Sequence, residues 1–360
     1  MPVGFLLRLV RWPVEISEHK RRDRLLKIRI ALTGAILALL TLTSQAQVTV
    51  RAGYFPNITH AQALVGRSNG QFEQALGPAA KLEWKTFNAG PSAVEALFAG
   101  AVDLIYVGPN PTITGYIRSQ GEALRVVAGA ASGGTALVVR SAANIHKAED
   151  FHGKKVASPQ LGNTQDVALR AWLLQNNLKP TDKGGDVQVI PLANPDQLTL
   201  FQQGQLDASW APEPWATRLI QEGGAQLFLD ERSLWPNRRF VITQIVVRTD
   251  FLKQHPDLVK RWLSAHVELT QWINKNPAQA KTILNQQIQK DTSRALPPKV
   301  LDEAFGRLEV TYDPIRSSLL ISADRAYAAG FLKQKPELSN LYSLDLLNEV
   351  LREKKLATVQ

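Results

Sequence analysis

The chain has 360 residues, 42 Lys and Arg against 32 Asp and Glu, a net charge of +10, and no cysteine. This length predicts two domains or lobes, and an apolar content of 44% is ordinary for a chain with a real core. The absence of cysteine excludes disulfides, a thiol nucleophile, thiolate metal sites and lipid attachment at a cysteine. The six histidines form no HExxH motif and no close pair on one helix face, so neither a metal site nor a cofactor is expected.

In chain order, residues 20–29 (KRRDRLLKIR) are basic, and residues 30–42 (IALTGAILALLTL) are an apolar run of 13. Residues 44–46 (SQA) then place small side chains at the minus-three and minus-one positions before Gln47. That order reads as a secretory signal, cleaved near Ala46–Gln47, with a single uncut transmembrane anchor as the alternative. The apolar run falls short of the roughly 20 residues that span a bilayer. The body is therefore expected outside the cytoplasm. Residues 1–30 hold eight basic against three acidic residues, a net of +5, which leaves +5 to the remainder. A mildly basic body favours small anions slightly. No basic stripe interleaved with aromatics occurs, so no nucleic-acid partner is expected.

From residue 48 onward, short apolar runs alternate with amphipathic stretches. The runs at 48–54, 81–87, 103–107, 124–130, 135–140, 154–158, 187–191, 207–211 and 225–229 read as strands. The stretches at 59–70, 91–99, 111–119, 163–176, 194–203 and 213–222 read as helices. This alternation predicts an α/β sheet with crossover helices. Pro91 and Pro195 open helices, and Gly100 and Gly204 stand just past their ends. One more strand is expected at 240–248, and helices dominate from 249. A weak internal repeat joins LFAGAVDLIYVGPNP (97–111) to LFQQGQLDASWAPEP (200–214). Each runs Leu-Phe, a Gly, an Asp three residues on, a strand, then Pro-x-Pro, which suggests two similar lobes facing each other.

Three strand-to-helix junctions carry small polar residues: YFPNITH (54–60), VGPNPTI (107–113) and QLGNTQD (160–166). In open α/β sheets, ligands sit beyond the carboxyl ends of strands, at the following helix starts. Those starts offer unpaired N–H groups and about half a positive charge, so an anion needs no Lys or Arg there. Each junction also reads as plain helix capping. Gly133 and Gly134 let the backbone approach a ligand, or simply turn the chain between strands. In DASWAPEPWATRL (207–219), Trp210 and Glu213 form an aromatic wall with one carboxylate, suited to an organic ligand. They also read as a core tryptophan and an acidic first turn, and Trp215 reads as structural.

GYFPNITHAQALVG, GAVDLIYVGPNP, GKKVASPQLGNTQDVALRAWL and GQLDASWAPEPWATRL resemble the periplasmic binding proteins of ABC importers for nitrate, taurine and aliphatic sulfonates. The resemblance covers about residues 48–310. It implies a two-lobed α/β fold of the type II periplasmic-binding kind, with a hinged cleft and C-terminal helices. Lobe 1 would take 48–135 and 245–360, lobe 2 would take 136–244, and 1–46 would be the signal. The junction residues that match the family's cleft loops are Asn57, His60, Asn110, Gly133 and Gly134, then Asn163, Thr164, Trp210 and Glu213. The first set would donate to an anionic group, and Trp210 and Glu213 would select the rest of the molecule. Glu213 would repel a bare nitrate and favour a sulfonate or carboxylate with a tail, or a zwitterion. The resemblance implies a periplasmic monomer that passes a small anionic organic ligand to the transmembrane subunits of an ABC permease. A ligand-sensing module and a thiamine-precursor binding protein are the alternatives on the same fold. The related thiamine-pathway pyrimidine synthase depends on a cysteine-rich motif that this chain lacks, and no Ser-His-Asp constellation or paired carboxylates replace it, so no enzyme activity is expected.

Overall fold

Strands and helices alternate from residue 48 as the apolar pattern requires, and strand pairing sorts them into two sheets. The computed structural model describes residues 47–360, so the expected signal segment 1–46 lies outside the described residues. Residues Val48–Gln360 form one compact unit. The first sheet holds β1 (Val48–Tyr54), β2 (Ala80–Thr86), β3 (Leu104–Val107), β4 (Leu124–Gly133), β10 (Val241–Arg248) and β11 (Leu308–Val310), in the order β11-β4-β10-β3-β1-β2. The second holds β5 (Thr135–Arg140), β6 (Lys155–Ser158), β7 (Gln188–Pro191), β8 (Ala208–Pro212) and β9 (Ala225–Asp230), in the order β7-β6-β8-β5-β9. The chain crosses from the first sheet to the second at Gly134 and returns between β9 and β10. The two sheets with their helices are two lobes.

The internal repeat proves structural. In the first lobe, Asp103 precedes the buried central strand β3, and its carboxylate accepts from the Arg51 backbone N–H at 2.9 Å. In the second lobe, Asp207 precedes the buried central strand β8, and its carboxylate accepts from the Lys155 backbone N–H at 3.0 Å. Each central strand has a parallel neighbour on one side (β1, β6) and an antiparallel one on the other (β10, β5). Each Asp also pairs with an arginine, Arg51 for Asp103 and Arg140 for Asp207. One short sequence pattern therefore fixes the same three-strand register in both lobes.

Each lobe has its own apolar core. In the first, Trp262 on the helix Pro256–Lys275 stacks on Phe72 with ring centroids 4.0 Å apart, beside Trp84. That helix carries Leu258, Val259, Leu263, Val267 and Leu269 on its buried face, the helical spacing that lets it cover the sheet. In the second, Phe151, Trp172 and Phe228 meet edge to face. Elements absent from the sequence reading include β11, three residues long, and the helices Gln71–Leu76 and Arg316–Ala328. Among the described residues no helix is long and apolar enough to cross a membrane.

Candidate functional site

Among the described residues, all six parallel strands end at one place. The residues that follow β1 (Phe55, Asn57, Thr59, His60), β2 (Asn88, Ala89, Gly90), β3 (Gly108, Pro111), β6 (Pro159, Asn163, Thr164, Gln165) and β7 (Asn194) line one cavity, with Pro212 at the end of β8. Ile242 and Thr243, at the start of β10, close it. Three of the parallel strands belong to each sheet, so the cavity lies between the lobes, where carboxyl ends of strands face each other. Its volume is about 30 Å³, room for the few heavy atoms of one compact polar group. No Asp, Glu, Lys or Arg lines it.

Four helices of eight residues or more begin at its wall: Gly90–Phe98, Pro109–Arg118, Thr164–Gln175 and Asn194–Gln202. Their first turns point unpaired N–H groups and a partial positive charge at the cavity. Proline at the first turn removes a donor from three of them, at Pro91, Pro109 with Pro111, and Pro195. The helix Thr164–Gln175 has none. Its N-cap Asn163 takes the Asp166 N–H at 2.8 Å, which leaves the Thr164 and Gln165 N–H groups for another acceptor. Two buried side-chain atoms on the wall, Thr164 Oγ1 and Asn194 Oδ1, have no hydrogen-bond partner. Such orphans are uncommon in protein interiors and mark a place where a ligand or water belongs. Rotation of the Asn194 amide offers either its carbonyl or its NH₂ end.

The wall is held rigidly. Asp166 accepts from Ser158 Oγ at 2.8 Å and from the Gly162 N–H at 2.9 Å, and it pairs with Arg170. That carboxylate ties β6, the polar loop and the helix start into one piece, and Arg170 answers its charge. His60 is fully buried, and burial pulls its pKa down to about 3, so the ring is neutral at physiological pH. Its Nδ1 accepts from the Phe55 N–H at 3.3 Å, which leaves Nε2 as the protonated, donating nitrogen.

Of the nine residues expected at the ligand, Asn57, His60, Asn163 and Thr164 meet at the cavity, and the other five do not. Asn110 turns inward and donates to the Ser322 carbonyl at 3.3 Å. Glu213 occupies the same place in the second copy of the repeat, the middle of Pro-x-Pro, and it too turns away. Its buried carboxylate takes Arg307 at 2.9 Å and the Thr217 N–H at 3.1 Å. Burial raises its pKa, and the Arg307 guanidinium works against that rise. The objection to a bare nitrate that rested on Glu213 therefore has no basis in the geometry.

Trp210 is a core residue. It is fully buried in the second lobe, and its Nε1 donates to Glu231 at 2.7 Å. Gly133 and Gly134, both at φ 73°, form the crossing between the sheets. The Gly134 N–H donates to Arg307 O at 2.9 Å, and Gly134 O accepts the Glu213 N–H at 2.8 Å. The positive φ of both glycines is what the crossing requires.

Sequence reasoning missed Asn88, Gln165, Asn194 and Thr243. Asn194 follows a strand and opens a helix at Pro195, the same signature as the three polar junctions.

Residues 44–286 match the NMT1-like family. The taurine-binding periplasmic protein of Escherichia coli K12 is 27% identical over 243 residues, 68% of this chain and 72% of the relative. Among solved structures, the alkanesulfonate-binding protein SsuA of Xanthomonas axonopodis pv. citri, bound to MOPS, superposes with a TM-score of 0.68 at 20% identity. The match covers 82% of this chain and 98% of that one. The periplasmic nitrate-binding protein NrtA of Synechocystis PCC 6803 gives a TM-score of 0.72 at 17% identity, covering 86% and 89%. These likenesses establish the two-lobed α/β fold of the periplasmic binding proteins, and the family match over two thirds of the sequence shows that this chain belongs to the NMT1-like family.

Proposed function

We propose that this protein is an extracytoplasmic solute-binding protein that encloses a small anion between its lobes and delivers it to an ABC permease. An aliphatic sulfonate, taurine included, is the favoured ligand, ahead of nitrate and bicarbonate. The observation that carries the reading is the uncharged cavity itself, walled by helix starts from both lobes and holding two buried polar atoms without partners. Neutral dipoles fixed in place stabilise an anion without the desolvation cost of burying a counter-charge. The Thr164 and Gln165 N–H groups, the Thr164 hydroxyl, His60 Nε2 and the Asn57 amide are the donors. The named binding activities of the taurine, alkanesulfonate and nitrate relatives support the ligand class.

No covalent step is assigned. The work is capture and release, and closure of the two lobes would present a joined surface to the permease. The test is a thermal-shift titration of the mature protein with ethanesulfonate, taurine, nitrate and bicarbonate. A true ligand at 100 times its Kd stabilises by about 2.7 kcal/mol. The double variant Asn163→Ala/Thr164→Ala should lose that stabilisation while remaining folded. If the variant binds as tightly as the parent, the helix-start reading is wrong.

A further inference from the structure

A second chamber adjoins the cavity across shared wall residues. This chamber measures about 200 Å³ and shares Asn57, Asn88 and Asn194 with the inner one. Its other walls are Pro195, Trp215 and Arg218 of the second lobe and Pro56, Phe87, Thr292 and Arg294 of the first. The two chambers divide a ligand into a compact head and a short tail. Together they fall below the roughly 300–1,000 Å³ of drug-sized sites.

The chemistry of the two chambers differs. The inner wall is neutral. The outer wall holds two guanidinium groups and no carboxylate. Behind that wall, Glu222 accepts from Arg218 Nε at 3.1 Å and Nη2 at 3.0 Å, and stands 3.4 Å from Arg294 Nη2. One carboxylate thus answers two positive charges, so the chamber keeps an excess of one. Arg218 is fixed in place, since its guanidinium also lies over the Trp215 ring, 4.6 Å from the centroid. Arg294 is exposed and keeps most of its five N–H donors for an incoming acceptor.

We infer that the outer chamber selects the tail of the ligand, and that the preferred tail carries an anionic or strongly accepting end, such as a carboxylate. An ammonium-bearing tail, as in taurine, meets repulsion there. The inference rests on the proposed capture of a sulfonate head by the inner cavity and narrows the class from aliphatic sulfonates to those with two acidic ends.

Isothermal titration of the mature protein with three two-carbon probes tests it: ethanesulfonate (neutral tail), taurine (ammonium tail) and sulfoacetate (carboxylate tail). Sulfoacetate should bind at least tenfold tighter than taurine, with ethanesulfonate between them. Arg294→Ala, at an exposed position, should erase most of the sulfoacetate advantage and leave ethanesulfonate unchanged. Arg294→Glu should reverse the order of sulfoacetate and taurine. Raising salt should compress the differences, since the outer chamber opens to solvent.

If ethanesulfonate binds but taurine equals or exceeds sulfoacetate, the tail inference fails and the head-group reading survives. The same holds if Arg294→Ala weakens all three probes equally. If none of the three binds at millimolar concentration, the sulfonate reading fails and the tail inference falls with it.

Discussion

The indole Nε1 of Trp215 donates to Asn57 Oδ1 at 3.0 Å, one residue from each lobe. The bond fixes the carbonyl end of Asn57 and so commits its NH₂ end to donation, the polarity an anion requires. It also exists only when the lobes are together. Trp215, read from sequence as structural, therefore touches the site, and Trp210, read as a ligand contact, is buried in the core. Trp215→Phe keeps an aromatic ring, though a smaller one, and removes the donor. Ligand affinity should fall by about 1 kcal/mol, roughly fivefold, with the ligand-free Tm nearly unchanged. Calorimetric titration of the two proteins checks this.

Gly108 caps the helix Pro109–Arg118 at the point where the lobes touch. A Cβ there would stand 2.2 Å from Thr164 Oγ1 of the opposite lobe. The backbone itself, at φ −75°, accepts alanine. Gly108→Ala should thus leave each lobe intact and hold the lobes apart. The expected loss is about 3 kcal/mol, on the order of a hundredfold in affinity, with little change in the Tm of the ligand-free protein. A parallel fall in ligand-free stability would show that the glycine serves its own lobe instead.

The buried Glu213 and the partly buried Arg307 form a pair that links the second lobe to the loop before β11. Removing one partner of such a pair leaves the other charge stranded. Arg307→Met should destabilise by about 3 kcal/mol in urea unfolding, and the double variant with Glu213→Gln should recover much of that loss. Glu213→Gln alone should not change which anions bind, because the carboxylate faces away from the cavity.

The pH dependence follows from two buried histidines. Burial holds His60 down to about 3 and His266 down to about 4, against an ordinary value of 6.5. His266 sits between the Tyr106 hydroxyl at 3.0 Å and the Gly129 carbonyl at 2.8 Å, which suits a neutral ring. Between pH 6.5 and about 4 the unfolded chain binds more protons at these sites than the folded one. Stability should therefore fall as pH drops through that window, by up to ~1.4 kcal/mol per unit for each histidine. Glu213 and Glu231, raised by burial above their ordinary 4.5, act in the opposite sense over part of it. Comparing the slope of unfolding free energy against pH for the parent and His266→Gln isolates the histidine contribution, and the variant should be flatter. Ligand affinity should be level from pH 5 to 8, since His60 stays neutral throughout.

The junction after β6 was legible in sequence because one peptide carries everything it needs. Asn163 caps the helix, Asp166 braces the loop, and no proline removes the donors of Thr164 and Gln165. The junction after β3 misled for a physical reason. Pro-Asn-Pro and Pro-Glu-Pro sit at equivalent points of the repeat, and both middle residues point into the protein, toward Ser322 and Arg307. Those partners lie 212 and 94 residues away in the chain. No local pattern can show which way such a side chain turns.

The sequence by itself determined the alternation of strands and helices, the repeat that sets both three-strand cores, and the polar helix mouths, because periodicity, capping and proline geometry act within a few residues. Tertiary structure alone decided which mouths share a cavity, that Trp215 and not Trp210 reaches the adjoining chamber, and that two arginines face that chamber. Those facts depend on how the two sheets approach each other, and that approach is set by contacts between residues far apart in the chain.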